Sequence, residues 1–218
     1  MFRLFLITFL ASAHLSINAQ ITEGYFQFSI DVEAIDTAMD IRRQAAMLRD
    51  SKMDLYFSEG RYRIDYHLGN VSTTSIRVDT FKNEALSLTT GMMGNYAYKN
   101  TPSSLGFGQM QSDSLFNVQL FDEHAVILGF HCDKAVLERN GVRSTYWYTN
   151  EIKIAQQGVQ LINRDIPGFP LSFTTIENGV RIHYQVSNYK FEIENKDEVF
   201  STDPPESFNM IEQPTTED

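Results

Sequence analysis

Phe26, Phe28, Ile30 and Val32 alternate with Gln27, Ser29 and Asp31, a period of two that predicts a strand with one buried face. Met53, Leu55 and Phe57 repeat the pattern. So do Tyr62, Ile64, Tyr66 and Leu68, set against Arg61, Arg63, Asp65 and His67. Shorter runs follow at Ile76/Val78, Leu86/Leu88, Tyr96/Tyr98, and Phe116/Val118/Leu120. Ala125 to Phe130 is apolar on both phases and reads as a central strand. Ala135/Leu137, Val142–Thr149, Ile152/Ile154, Leu171/Phe173 and Arg181–Ile193 complete the series. In the last run the apolar phase flips from Ile182, Tyr184 and Val186 to Tyr189, Phe191 and Ile193. That flip predicts a bulge at Ser187-Asn188.

The turn residues agree with this spacing. Asn140-Gly141 and Asn178-Gly179 each separate two alternating runs, where a tight hairpin turn needs positive φ at both central residues. Glu59-Gly60 and Gly69-Asn70 mark two more turns, and Met92-Met93, between Gly91 and Gly94, marks a strand end at which methionine fills gaps. Short strands joined by tight turns predict an antiparallel meander and argue against a βαβ nucleotide-binding fold. One segment differs: positions 34, 38, 41, 45 and 48 are apolar at helical spacing. It predicts a helix from Asp36, as N-cap, to Arg49, ending at Asp50-Ser51, that covers the sheet either as a connector or as a lid. Thr101 to Ser114, with Gly106 and Gly108, is a long loop and a second lid candidate.

Composition narrows the function classes. The chain has 218 residues, a one-domain length, and a net charge of −10, which is the wrong sign for nucleic-acid phosphates. At 42% hydrophobic and 12% aromatic residues it is too apolar to stay unfolded. Cys132 is the single cysteine, so it has no internal disulfide partner. Arg3, the apolar run Leu4–Leu10 and Ala19 before Gln20 follow the order of a secretory signal. That run is too short to span a bilayer, and no later segment is apolar enough to do so. The expected division is a signal peptide over 1–19, a β domain over 20–200, and an acidic flexible tail over 201–218.

Candidate chemistry is sparse. There is no Gly-x-Ser-x-Gly elbow and no phosphate-binding loop, and Gly106-Phe107-Gly108 lacks a strand-to-helix setting. His67 and His183 fall on polar phases. His124 and His131, near Asp122, Glu123 and Asp133, lie on opposite faces of a regular strand unless a bulge at Gly129 brings them together. Cys132 reads as a packing thiol. No catalytic residue, metal or cofactor is expected.

The second half carries a resemblance. Ile127-Leu128-Gly129-Phe130-His131-Cys132-Asp133-Lys134-Ala135, then Tyr146-Trp147-Tyr148-Thr149, then Ile166-Pro167-Gly168-Phe169-Pro170-Leu171 resemble the secreted GLPGLI-like envelope proteins of Gram-negative bacteria. Met53 to Arg63 fits their first half. Those proteins are similar in strand pattern to the LolA/LolB lipoprotein carriers, which implies a mainly β fold: a curved antiparallel half-barrel of about a dozen strands with one covering helix. The resemblance supplies no catalytic residues.

Trp147 is out of phase with its apolar neighbours Val142, Tyr146 and Tyr148, which suits either a second buried layer or a cavity wall. Pro167-Gly168-Phe169-Pro170 suits a rigid corner or a cavity rim. The expected role is a non-enzymatic periplasmic or secreted protein that binds a lipid or other apolar ligand on its concave face. The candidate ligand wall is Phe28, Ile41, Tyr62, Ile64, Tyr66, Trp147 and Phe169. The alternative is a structural or interaction protein of the envelope, with a filled core and an envelope protein as partner. Nucleic-acid binding and a membrane span are not expected.

Overall fold

The hairpin signals dictate the topology. In the computed structural model, which describes residues 21–105, 117–139, 141–154 and 166–211, two antiparallel meanders join edge to edge. The first runs β1 (Glu23–Ala34), β2 (Lys52–Ser58), β3 (Arg61–Leu68), β4 (Ser72–Asp79), β5 (Glu84–Gly91) and β6 (Gly94–Asn100). The second runs β7 (Asn117–Ile127), β8 (Phe130–Arg139), β9 (Val142–Thr149), β10 (Phe169–Glu177) and β11 (Val180–Lys190). β1 pairs with β11, and the two-residue β12 (Asn209–Met210) adds in parallel to β6. The sheet order is therefore β12-β6-β5-β4-β3-β2-β1-β11-β10-β9-β8-β7, with β7 at one end.

Ring distances show how strongly this sheet curves. Strands lie about 4.8 Å apart, so a flat sheet would hold β1 and β8 about 19 Å apart, with β11, β10 and β9 between them. The rings of Phe26 on β1 and Phe130 on β8 are 6.5 Å apart. Phe57 on β2 and Phe169 on β10 meet at 6.2 Å across β1 and β11. The sheet folds over on itself without closing, and one core of side chains fills the concave side: a half-barrel, as the resemblance implied. Burying each such ring stabilises the fold by roughly 1.5–3 kcal/mol.

The Ser187 bulge is present: Gln27 pairs with Asn188 and Phe28 with Val186, leaving Ser187 as the extra residue. It lets Val186 and Tyr189 both join the core despite their opposite phases. Glu59-Gly60 and Asn178-Gly179 are tight turns with positive φ at both residues. Gly141, at φ +78°, sits in the turn between β8 and β9; Asn140 lies outside the described residues.

Several expectations need correction. Ala125–Phe130 is not a central strand. It is the end of edge strand β7, the turn Leu128-Gly129 and the start of β8, and Val126 is exposed. Two apolar strand ends separated by an apolar turn residue mimic a strand buried on both faces. Gly129 accordingly makes a turn and not a bulge; the irregularity in this hairpin falls between Phe121 and His124. The helix is shorter than expected: α1 spans Met39–Met47 with Ala38 as N-cap, because β1 pairs with β11 as far as Ala34. Asp36 instead accepts a hydrogen bond from the Ala38 N–H (3.0 Å). Ile152 forms an isolated parallel bridge with Ile21, not a strand. Met92 and Met93 sit at a hairpin tip and fill no gap: they are 93% and 88% exposed. The signal segment, Phe116 and the loop beyond Leu105 lie outside the described residues.

Packing also continues past the boundary expected at residue 200. After α2 (Lys196–Val199) the chain crosses the convex face of the first meander as a strap. Arg61 lies 5.2 Å over the buried ring of Phe200, Arg77 Nη1 donates to Ser201 O (3.2 Å), and Thr202 Oγ1 donates to Glu84 (2.6 Å). Phe208 then covers a second small core of Leu86, Leu88 and Ala97. These leucines lie on the phase of β5 opposite Ala85, so a two-sided strand needed a second cover.

Candidate apolar-ligand site

Helix α1 lies across one end of the half-barrel. Ile41 abuts Gly179 in the β10–β11 turn, and the Met47 and Arg49 carbonyls abut Gly69 in the β3–β4 turn. Ala45 is buried in the main core, with Ile41 and Leu48 packed against it. These three residues form the inward stripe that helical spacing predicts, whereas Ala38 is exposed.

Below this helix, one cross-strand row runs Leu120, Ala135, Tyr146, Phe173, Tyr184, Ile30 over β7, β8, β9, β10, β11 and β1. Its middle is a stack. Tyr146 and Phe173 lie 5.6 Å apart at 7°, and Phe173 and Tyr184 lie 4.5 Å apart at 10°. The row is exposed at one end, where Leu120 is 62% accessible. Burial pushes up the phenol of Tyr184 to about 12 and raises those of Tyr66 and Tyr146; the Glu177 carboxylate adds to all three. These phenols therefore stay neutral at ordinary pH. Ala135, Tyr146 and Phe173 are themselves buried in the main core and Tyr184 packs against it, so a ligand with an apolar body and a polar end would have to part this row from its open side at Leu120.

The residues singled out from sequence divide into three groups. Phe28, Tyr62, Ile64 and Phe169 are buried in the filled core, where Phe169 contacts Phe26, Phe28 and Phe57 at 4.9, 6.4 and 6.2 Å. Ile41 and Tyr66 are half-buried: Ile41 abuts the β10–β11 turn, and Tyr66 is close enough to Tyr184 to interact with it electrostatically. Trp147 lies on the opposite face of β9 from Tyr146 and Tyr148, with Lys134 Nζ 5.8 Å above its ring. Tyr146, Phe173 and Tyr184 lie outside the wall that the sequence predicts. Each sits on the apolar phase of its own run, but their alignment depends on pairing between β9, β10 and β11.

The convex face of β1–β4 carries a polar network. Asp54 accepts hydrogen bonds from Tyr25 Oη (2.8 Å) and Gln27 Nε2 (3.0 Å) and pairs with His67 Nε2 (3.0 Å). Arg63 Nε donates to both oxygens of Asp65, at 3.0 and 2.9 Å. His67 is thus part of a network, not isolated surface polarity. These carboxylates are held by the protein's own donors. On β7 and β8, His124 contacts Asp133 (2.8 Å) and Asp122 (3.1 Å), while His131 faces Glu151. No group of three or more His, Cys, Asp or Glu among the described residues is arranged to hold a metal ion. Cys132 is buried, and that burial raises its thiol to about 11.

No protein-family model matches the chain, and no curated protein matches it. Solved structures similar to it include PNGF-II in a P21 crystal form, with TM-score 0.48 and 13% identity over 88% of this chain and 32% of that one. PNGF-II in a C2 form gives TM-score 0.47 and 13% identity over 89% and 31%. The chain spans less than one third of the length of PNGF-II. Among the described residues, no helix is long and apolar enough to cross a membrane.

Proposed function

We propose that the protein is an exported, non-enzymatic binding protein of a Gram-negative envelope, of the GLPGLI-like kind. In this reading it holds an apolar ligand of lipid or lipidated-peptide chemistry beneath α1. The observation that carries this reading is the stacked row Tyr146–Phe173–Tyr184, which runs from the partly open side at Leu120 to the covered side at Ile30. The order of charge, apolar run and Ala19 at the N-terminus supports export to the periplasm or beyond. Organic-solvent extraction of the purified protein followed by mass spectrometry tests it. A stoichiometric amphiphile is expected, and Tyr184→Ala should lose it while the protein stays folded.

A second reading, a structural or interaction protein of the envelope, draws on a different observation. Phe26 touches Phe57, Phe169, Phe130 and Tyr189 at 4.9 to 6.5 Å, so that level of the concave face is filled by the protein itself. If extraction yields nothing and no hydrophobic dye binds the native protein, this second reading replaces the first.

A further inference from the structure

We infer that the hydroxyls of Tyr66, Tyr146, Thr175 and Tyr184 receive the uncharged, oxygen-bearing end of an amphiphile, a glycerol ester, and turn away a free carboxylate. The inference deepens the ligand-binding reading by naming the class of ligand, and it rests on that reading.

The donors come first. Tyr146 is 6% exposed, yet its phenol oxygen has no hydrogen-bond partner among the described residues, and the same holds for Tyr66 and Tyr184. Thr175 stands two residues beyond Phe173 on the same face of β10, opposite the buried Ile182, and its Oγ1 is buried without a partner. A buried hydroxyl left unpaired is costly, so several in one part of a fold point to an acceptor brought by a ligand. Tyr146 and Tyr184 flank Phe173 in the stack, at ring distances of 5.6 and 4.5 Å, so their hydroxyls address two atoms and not one. Tyr66 comes from β3 in the other meander and is close enough to Tyr184 to interact with it electrostatically. Donors spread in this way fit a polar end that carries several oxygens, as a glycerol ester does.

Charge then separates the possible polar ends. Glu177 follows Thr175 by two residues on β10, and its carboxylate acts on all three phenols. Burial and this carboxylate keep the phenols neutral, and both disfavour a second anion among them. Arg42, Arg43, Arg49 and Lys52 at this end are exposed, as are Asp36, Asp40 and Asp50. Among the described residues no lysine or arginine is buried beneath α1, where it could neutralise a carboxylate. An ammonium end fails for a different reason: it brings donors where donors already stand. An ester carbonyl with glycerol oxygens accepts hydrogen bonds and carries no charge.

The test titrates the full chain at mildly alkaline pH with monolauroylglycerol, laurate or dodecylamine, each below its aggregation concentration, and reads binding by calorimetry. The three probes share a chain length and differ at the polar end. The glyceride should bind at least roughly tenfold more tightly than either charged probe. Tyr146→Phe and Tyr184→Phe keep the stacked rings and delete one hydroxyl each. Either should weaken the glyceride by roughly three- to tenfold without lowering the melting temperature. Glu177→Gln should raise the affinity for laurate several-fold. Laurate or dodecylamine binding as tightly as the glyceride, or phenylalanine variants with unchanged glyceride affinity, would overturn the inference and leave the ligand-binding reading standing. Failure of all three probes to bind would remove that reading, and the inference with it.

Discussion

Single residues decide where the core rings point. A Cβ on Gly168 would lie 2.4 Å from the Thr149 carbonyl oxygen and 2.8 Å from the Tyr148 ring, both inside contact distance. Gly168 thus lets the Pro167–Pro170 corner press against β9 and send Phe169 into the core. Gly168→Ala should destabilise the protein by about 1–3 kcal/mol through backbone displacement, read by chemical denaturation. An unchanged midpoint would show that the corner relaxes freely. At the β7–β8 bulge, the hydrogen bonds of His124 to Asp133 and then Asp122 raise its pKa above the ordinary value near 6.5. A raised folded-state value means that the contribution of the charged pair is complete below the unfolded pKa and is lost as pH rises through the folded one. An NMR titration of the His124 ring should show the raised midpoint, and Asp133→Asn should bring it down. A midpoint at or below the ordinary histidine value would contradict the geometry.

At the scale of elements, α1 and the C-terminal strap are both covers held by few side chains. Ile41 and Leu48 flank the buried Ala45 under α1. Changing both to Asp should cost about 2–4 kcal/mol and raise binding of a hydrophobic dye, because two apolar contacts become charged groups against the main core. A double variant with an unaltered melting temperature would mean that α1 does not pack as described. The strap makes an equally sharp case. Phe200 is 2% exposed, so Phe200→Ala should cost about 3–5 kcal/mol. Urea denaturation reads the loss, and an unchanged midpoint would mean that this ring does not pack under Arg61.

For the whole molecule, the two meanders share one core. Phe26 sits where they meet and contacts rings from β2, β8, β10 and β11. Phe26→Ala should therefore remove about 3–5 kcal/mol while leaving a single unfolding transition. Fluorescence of Trp147 in the second meander and far-ultraviolet circular dichroism over both should shift together. Two separated transitions would show that the meanders are independent units and that the curvature contributes little coupling.

Alternation and turn chemistry are local properties, so most of the strands, the tight turns and the Ser187 bulge were legible in the amino-acid order alone. Each depends on a residue and its near neighbours: a period of two, a Gly at positive φ, a phase flip. The half-barrel class followed from the same pattern together with the family resemblance. Which strands pair and how far the sheet bends are long-range facts, and only the tertiary structure decided them. The apolar run Ala125–Phe130 read as buried because hydrophobicity does not reveal whether a neighbouring strand exists on the outer side of β7. Leu86 and Leu88 did not disclose that Phe208, far along the chain, would cover them. Phe28, Tyr62 and Ile64 had the composition of a ligand wall, but curvature brought the opposite meander's rings onto that face and made them core. The row Tyr146–Phe173–Tyr184 is the reciprocal case: three unremarkable apolar positions became a stacked floor when register aligned them across three strands.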